Sequence, residues 1–197
     1  MHTDGTNAME LIKVTLTAGE TLHYDEGAGF TVKDSSGCIK TKDTITGNIV
    51  SAVNIVVLGA DVTNNNGVAN TIQDVTGLSF AVTAGERYWF EFIIPYTSAA
   101  TTTGSRWTIN GPAAPTLLNY RSEYTLTATS ITDNCATAYD IPAASNASSL
   151  TAGNIATIWG IIKPSSNGTV IARFASEILS SAIVAKAGAT LRWIRVA

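Results

Sequence analysis

Apolar positions recur with a period of two along most of this chain. Ile12, Val14 and Leu16 alternate with Lys13, Thr15 and Thr17. Leu78, Phe80 and Val82 alternate with Ser79 and Ala81, and Tyr88, Phe90, Phe92 and Ile94 with Trp89, Glu91 and Ile93. Tyr124, Leu126 and Ala128 alternate with Thr125, Thr127 and Thr129. Such alternation puts one set of side chains on a core face and the other set outside, which is the signature of a strand. Residues 155–163 and 169–175 are longer β-branched runs. The first of them is apolar on both faces, with Ile155 and Ile161 on one and Ile158 and Ile162 on the other. A strand apolar on both sides needs a second sheet on one face and a neighbour or partner subunit on the other. No stretch keeps a 3.6-residue period; residues 143–150 and 176–181 have room for a turn or a short helix.

Turn signals separate these runs. Ser165-Ser166-Asn167-Gly168 lies between two strong strands, and Asn-Gly predicts a tight hairpin there. Residues 63–67, Thr-Asn-Asn-Asn-Gly, predict a longer loop. Ala-Gly recurs at 18–19, 84–85, 152–153 and 187–188, each time beside a strand, as a repeated turn. Nine or ten short strands with turns between them predict an all-β protein, an antiparallel β-sandwich or jelly roll. The runs after residue 50 are longer and more apolar, which places a boundary near 47–52. Residues 1–50 then form an N-terminal arm or small β subdomain, and residues 51–197 the sandwich.

Composition narrows the function. The chain has 197 residues, of which 45% are apolar but only 14% charged, against about 25% charged in an average domain. Thr and Ser together make 44 residues, 28 and 16, so the polar surface is neutral rather than ionic. Without an excess of Lys and Arg, binding to nucleic acid is not expected. No run of about 18 apolar residues predicts a membrane-spanning helix, and the opening MHTDGTNAME lacks the basic and apolar regions of a secretory signal. The net charge of −3 resides wholly in residues 1–50, with seven acids and four bases; the rest carries eight of each. A neutral Ser/Thr-rich body has little repulsion to keep copies apart, which predicts assembly.

Candidate chemistry is sparse. His23 and Asp25 have the i, i+2 spacing of ligands on one strand face, beside Glu26, but the same pattern fits a strand end entering a Gly-rich turn, and no metal or other cofactor is expected. Glu91 lies on one face with Trp89 and Ile93. A carboxylate beside Trp can act as a general acid, yet a cross-strand Arg partner is the commoner use, with Arg106, Arg121 and Arg173 as candidates. No nucleophile elbow, Cys-x-x-Cys pair or phosphate-binding loop occurs, so no enzymatic activity is expected. Cys38 and Cys135 stand 97 positions apart and read as two separate thiols. Trp89, Trp107, Trp159 and Trp193, with Tyr88, Tyr96, Tyr120, Tyr124 and Tyr139, would serve either as core and subunit-interface aromatics or as a sugar-stacking surface.

Several long phrases carry a resemblance. NTIQDVTGLSF (70–80), IPYTSAATTTGSRWTINGP (94–112), AYDIPAASNASSLTAGNIATIWGIIKPSSNGTVIARFASE (138–177) and AKAGATLRWIRV (185–196) resemble a C-terminal module of tailed-bacteriophage virion proteins, over about two thirds of the chain. The resemblance implies a structural, non-enzymatic β-sandwich on the virus particle, made in the host cytoplasm. An exterior capsid decoration protein would grip the major capsid protein with residues 1–50 and display the sandwich, as a homo-oligomer such as a trimer at local threefold positions. A tail or fibre protein would present the same sandwich to a host glycan. In either setting Trp89, Trp107, Trp159 and Trp193 are the candidate interface or glycan contacts.

Overall fold

The computed structural model describes residues 53–145 and 149–196 in full and, before them, the backbone of four strands. The chain divides into two compact units, Met1–Ala52 and Val53–Ala197. In the first, β1 (Thr21–Asp25), β2 (Gly29–Lys33), β3 (Ile39–Lys42) and β4 (Ile49–Val50) form one antiparallel sheet in that order. The side chains of His23, Asp25 and Glu26, and the whole of Cys38, lie outside the described residues.

The second unit is a sandwich of two unequal antiparallel sheets, and no helix occurs among the described residues. Its strands are β5 (Asn54–Val57), β6 (Val62–Asn64), β7 (Gln73–Val82), β8 (Tyr88–Ser98), β9 (Ser105–Asn110) and β10 (Leu117–Thr127). They continue with β11 (Ser130–Ala136), β12 (Asn154–Lys163), β13 (Gly168–Ser176), β14 (Ile183–Ala185) and β15 (Thr190–Arg195). The large sheet runs β11-β10-β12-β8, and the far edge of β8 is then divided between two short strands. β15 pairs with residues 88–93 and is itself paired by β5, while β14 pairs with residues 96–98 and is paired by β6. Pro95, which has no N–H to give a ladder, falls where the two partners meet. The small sheet is β7-β13-β9.

The two-residue period decides which side chains lie between the layers. On β8 Tyr88, Phe90, Phe92, Ile94 and Tyr96 are buried, as are Ala156, Ile158 and Ile162 on β12. Facing them from the small sheet are Leu78, Phe80, Trp107, Ile109, Val170, Ala172 and Phe174. Trp107 is fully buried and stacks on Phe174, ring centroids 5.0 Å apart and planes 13° from parallel. Around Tyr96 and Trp107 the buried polar atoms are paired, as the interior requires. The Tyr96 hydroxyl donates to the Thr125 carbonyl at 3.0 Å and accepts from Ser105 Oγ at 3.1 Å; Trp107 Nε1 donates to that same Oγ at 3.0 Å.

Two expectations from the sequence need correction, and a third resolves to one of its alternatives. The described residues form fifteen strands rather than nine or ten, because β3, β4, β5, β6 and β14 have four residues or fewer, too few to show a period. Residues 176–181 take the turn of the two alternatives: β13 ends at Ser176 and a turn follows. The Asn167-Gly168 turn is not a hairpin. β12 pairs with β10 and β8, and β13 with β7 and β9, so residues 164–167 carry the chain from one layer to the other. Asn167 Oδ1 accepts the Ala84 N–H at 2.8 Å and ties that corner to the β7–β8 turn. Three of the four Ala-Gly turns use left-handed backbone, with φ of 79° at Gly85, 78° at Gly153 and 89° at Gly188, and the fourth, at 18–19, lies outside the described residues.

Gly160, between β10 and β8, has no room for a side chain: a Cβ there would lie 2.3 Å from the Asn119 carbonyl oxygen and 2.7 Å from Tyr120 Cα. Gly160→Ala is expected to destabilise the unit by about 2 kcal/mol or more, because backbone atoms must move; chemical denaturation measures it. Burial pushes the phenols of Tyr96, Tyr120 and Tyr124 above the ordinary value of 10.0 and that of Tyr139 up to about 12. The unfolded chain then releases these protons first, so their contribution to stability is complete below pH 10 and declines as the pH rises further. Thermal unfolding followed between pH 8 and about 12 should show a midpoint that falls only above pH 10, with tyrosinate absorbance appearing together with unfolding.

Candidate functional site

The face of the large sheet turned away from the small one is the candidate site. Registers place its side chains in rows across the strands. One row runs Cys135, Arg121, Trp159, Glu91, Arg192, Ile55, from β11 through β10, β12, β8 and β15 to β5. The next runs Asp133, Glu123, Thr157, Ile93, Thr190, Val57. On the other side of the first row lie Asn119, Ile161, Trp89 and Ile194, and beyond the second Ile155 and Pro95 stand opposite each other. Ile55 is 63% exposed, Val57 57%, Ile155 47% and Ile161 38%. A face this apolar is unusual for an antiparallel sheet, whose outer side is commonly polar.

Ionic side chains are laced over this apolar ground. Arg121 forms a fork with Asp133, Nε to Oδ1 at 2.7 Å and Nη2 to Oδ2 at 2.5 Å, and also meets Glu123 at 2.9 Å. Hydrogen bonding to Asp133 raises the pKa of the guanidinium above its ordinary value, so it stays charged. Its Cζ lies 5.6 Å from the centroid of the Trp159 ring. Arg192 repeats the arrangement two strands from Trp159: it pairs with Glu91 and lies 5.6 Å from the Trp89 centroid. Both contacts fall within the range of cation–π attraction. A shallow depression of about 470 Å³ between Trp89 and Trp159 is lined also by Asn119, Arg121, Cys135 and Ile161. A second, of about 290 Å³, lies over Ile55, Ile93 and Arg192.

The four tryptophans do not form one group. Trp89 and Trp159 share the outer face, Trp107 is in the core, and Trp193 stacks on Phe80 with centroids 5.1 Å apart at 20°. Tyr88, Tyr96, Tyr120 and Tyr124 are buried, so they add nothing to an exposed aromatic surface. Glu91 does have a cross-strand Arg, but it is Arg192, which the sequence reading did not name. The three named arginines are engaged elsewhere: Arg106 with Glu177 at 2.9 Å, Arg121 with Asp133, and Arg173 with Asp74 at 2.7 Å and Asp140 at 2.6 Å. Cys135 is exposed and not in a disulfide. No group of three His, Cys, Asp or Glu side chains that could hold a metal occurs among the described residues. Sequence reasoning missed Ile55, Val57 and Arg192, which lie on the short strand β5 and on β15, outside the long runs it read.

No protein-family model and no curated protein matches the chain. Among solved structures it is similar to the VP2 subviral particle of infectious bursal disease virus, at 8% identity and a TM-score of 0.25 over 87% of this chain and 48% of that one. The Gx strain of the same virus gives 10% identity and a TM-score of 0.24 over 86% and 46%. The chain therefore spans less than half the length of these structures. Similarity at that level carries no argument about this chain.

Chemically, the outer face offers broad, shallow apolar contact edged by ion pairs. Trp and Arg are the side chains that most often anchor protein interfaces. The placement of the tryptophans makes a clear stability contrast. Trp107→Ala is expected to cost about 3–5 kcal/mol through the cavity it leaves. Trp159→Ala should cost less than half of that, and denaturation of the two variants beside the parent checks the order.

Proposed function

We propose that this chain is a bacteriophage virion structural protein, an exterior capsid decoration protein that grips the major capsid protein through residues 1–50 and displays the β-sandwich. The observation that carries this reading is the apolar outer face of the large sheet. Ile55, Ile93, Ile155, Ile161, Trp89 and Trp159 share this one face, interrupted by the Glu91–Arg192 pair. Such a surface suits a protein that works while packed against others. The phrases between residues 70 and 196 that resemble virion modules point the same way. Self-association into a homo-oligomer and a place on the particle surface belong to this reading.

A tail or fibre protein that holds a host glycan is the second reading. It draws on Trp89, Trp159 and Asn119, which line one open depression. Sugars stack on free aromatic faces, however, and here a guanidinium lies over each ring. Those cations favour a protein contact over a sugar.

Antibody labelling of purified virions tests the assignment. Gold distributed over the head is the expected result, and gold at the tail tip would turn the choice to the second reading. Particles without label, and without this chain by mass spectrometry, would refute both.

A further inference from the structure

We propose that the outer face of the large sheet pairs two copies of this chain, sheet on sheet, about a two-fold axis that lies across the strands between the Arg121 row and the Glu123 row. The pairing takes the same face that carries the virion reading and rests on that reading only for its purpose. Three observations select a second copy as the occupant.

The first is charge. Arg121 and Glu123 are successive outward residues of β10. An axis between their rows sets Arg121 of each copy over the partner's Glu123, so the ionic edge is complementary to itself. The second is size. The same axis sets Trp159 over the partner's Thr157 and Trp89 over the partner's Pro95, large against small, with Ile161 over the partner's Ile155. Isologous interfaces need this kind of self-matching pattern. The third is area. The outward positions of the four rows, on strands about 4.8 Å apart and rows about 7 Å apart, span roughly 600 Å² per copy, at the lower end of the range of standard stable interfaces. A decoration trimer would need a different surface as well, so the two-fold is an arrangement that the sequence did not suggest.

An axis along the strands would instead bring β10 over the partner's β15 and set Arg121 beside Arg192, like charge on like. The native Cys135 separates the two arrangements, because only the axis across the strands brings β11 over β11. With sheets about 10 Å apart and rows about 7 Å apart, the two Cys135 α-carbons then lie roughly 12 Å from each other.

The experiment uses the full chain carrying Cys38→Ser, so that only Cys135 reacts. Sedimentation velocity over a concentration series should show a dimer, and a bismaleimide of matching span should link Cys135 to Cys135. Ile161→Arg, at an exposed position, should weaken association at least tenfold and abolish the cross-link, with the thermal midpoint unchanged at concentrations where the parent is monomeric; Ile55→Arg is the second such variant. Arg121→Glu should weaken pairing, and adding Glu123→Arg should restore it. A chain that stays monomeric overturns the proposal. A dimer that is indifferent to Ile161→Arg and Ile55→Arg and forms no Cys135 link overturns it as well. A monomer that still labels virions removes this pairing and leaves the virion reading intact. A dimer with the Cys135 link whose antibody marks no particle does the reverse.

Discussion

The constraint on which the second unit depends is the burial of one row of β8 between two sheets. Tyr88, Phe90, Phe92, Ile94 and Tyr96 are all 4% exposed or less, and the buried rows of β12 and of the small sheet pack against them. Once that row faces inward, the strand period sends Trp89, Glu91, Ile93 and Pro95 to the opposite side. The inner row makes the fold, and the outer row, set by the same backbone, makes the candidate site. A register slip of one residue would exchange them and bury Glu91 in place of Phe90 or Phe92.

The outer row is kept stable in water by local pairing. Arg121 and Arg192 each combine an ion pair with a position over a tryptophan ring. Exposed ion pairs contribute little alone, on the order of 0–1 kcal/mol. Here they hold two guanidiniums over apolar ground, and their stems cover part of it. The result is a surface apolar enough to attract a partner and ordered enough to lose little side-chain freedom when it meets one. The polar loop that follows β11 is fastened separately: Glu177 accepts the Ser145 N–H at 2.8 Å and Arg106 Nε at 2.9 Å.

Much of the fold was legible because alternation is a local property. The strands β8, β10 and β12 show it over most of their length, and β7 shows it from Leu78 to Val82. β5, β6 and β14 were not legible, because three or four residues are also a plausible loop. The corner at Asn167-Gly168 misled for a related reason: turn chemistry states that the chain reverses, but not whether the next strand pairs in the same sheet or crosses to the other layer. In the candidate site, the two-sided apolarity of residues 155–163 signalled an outer contact face. The fate of each tryptophan was not signalled. Trp107 and Trp159 both stand among apolar and Thr neighbours, and only the placement of a second sheet over one of them tells them apart.

The sequence by itself determined that this is a strand protein, which residues of each long strand share a face, and that its surface is neutral. These follow from side-chain period and composition, which need no knowledge of neighbours. The tertiary structure alone decided which face of each strand is covered and that β8 is flanked by β15 and β14 at once. It also decided that Glu91 meets Arg192, and that Trp89 and Trp159 come together across two strands. Those outcomes join residues up to about a hundred positions apart, such as Glu91 and Arg192, and pairing across such distances is selected by the packing of the whole sandwich, since no local preference reaches that far.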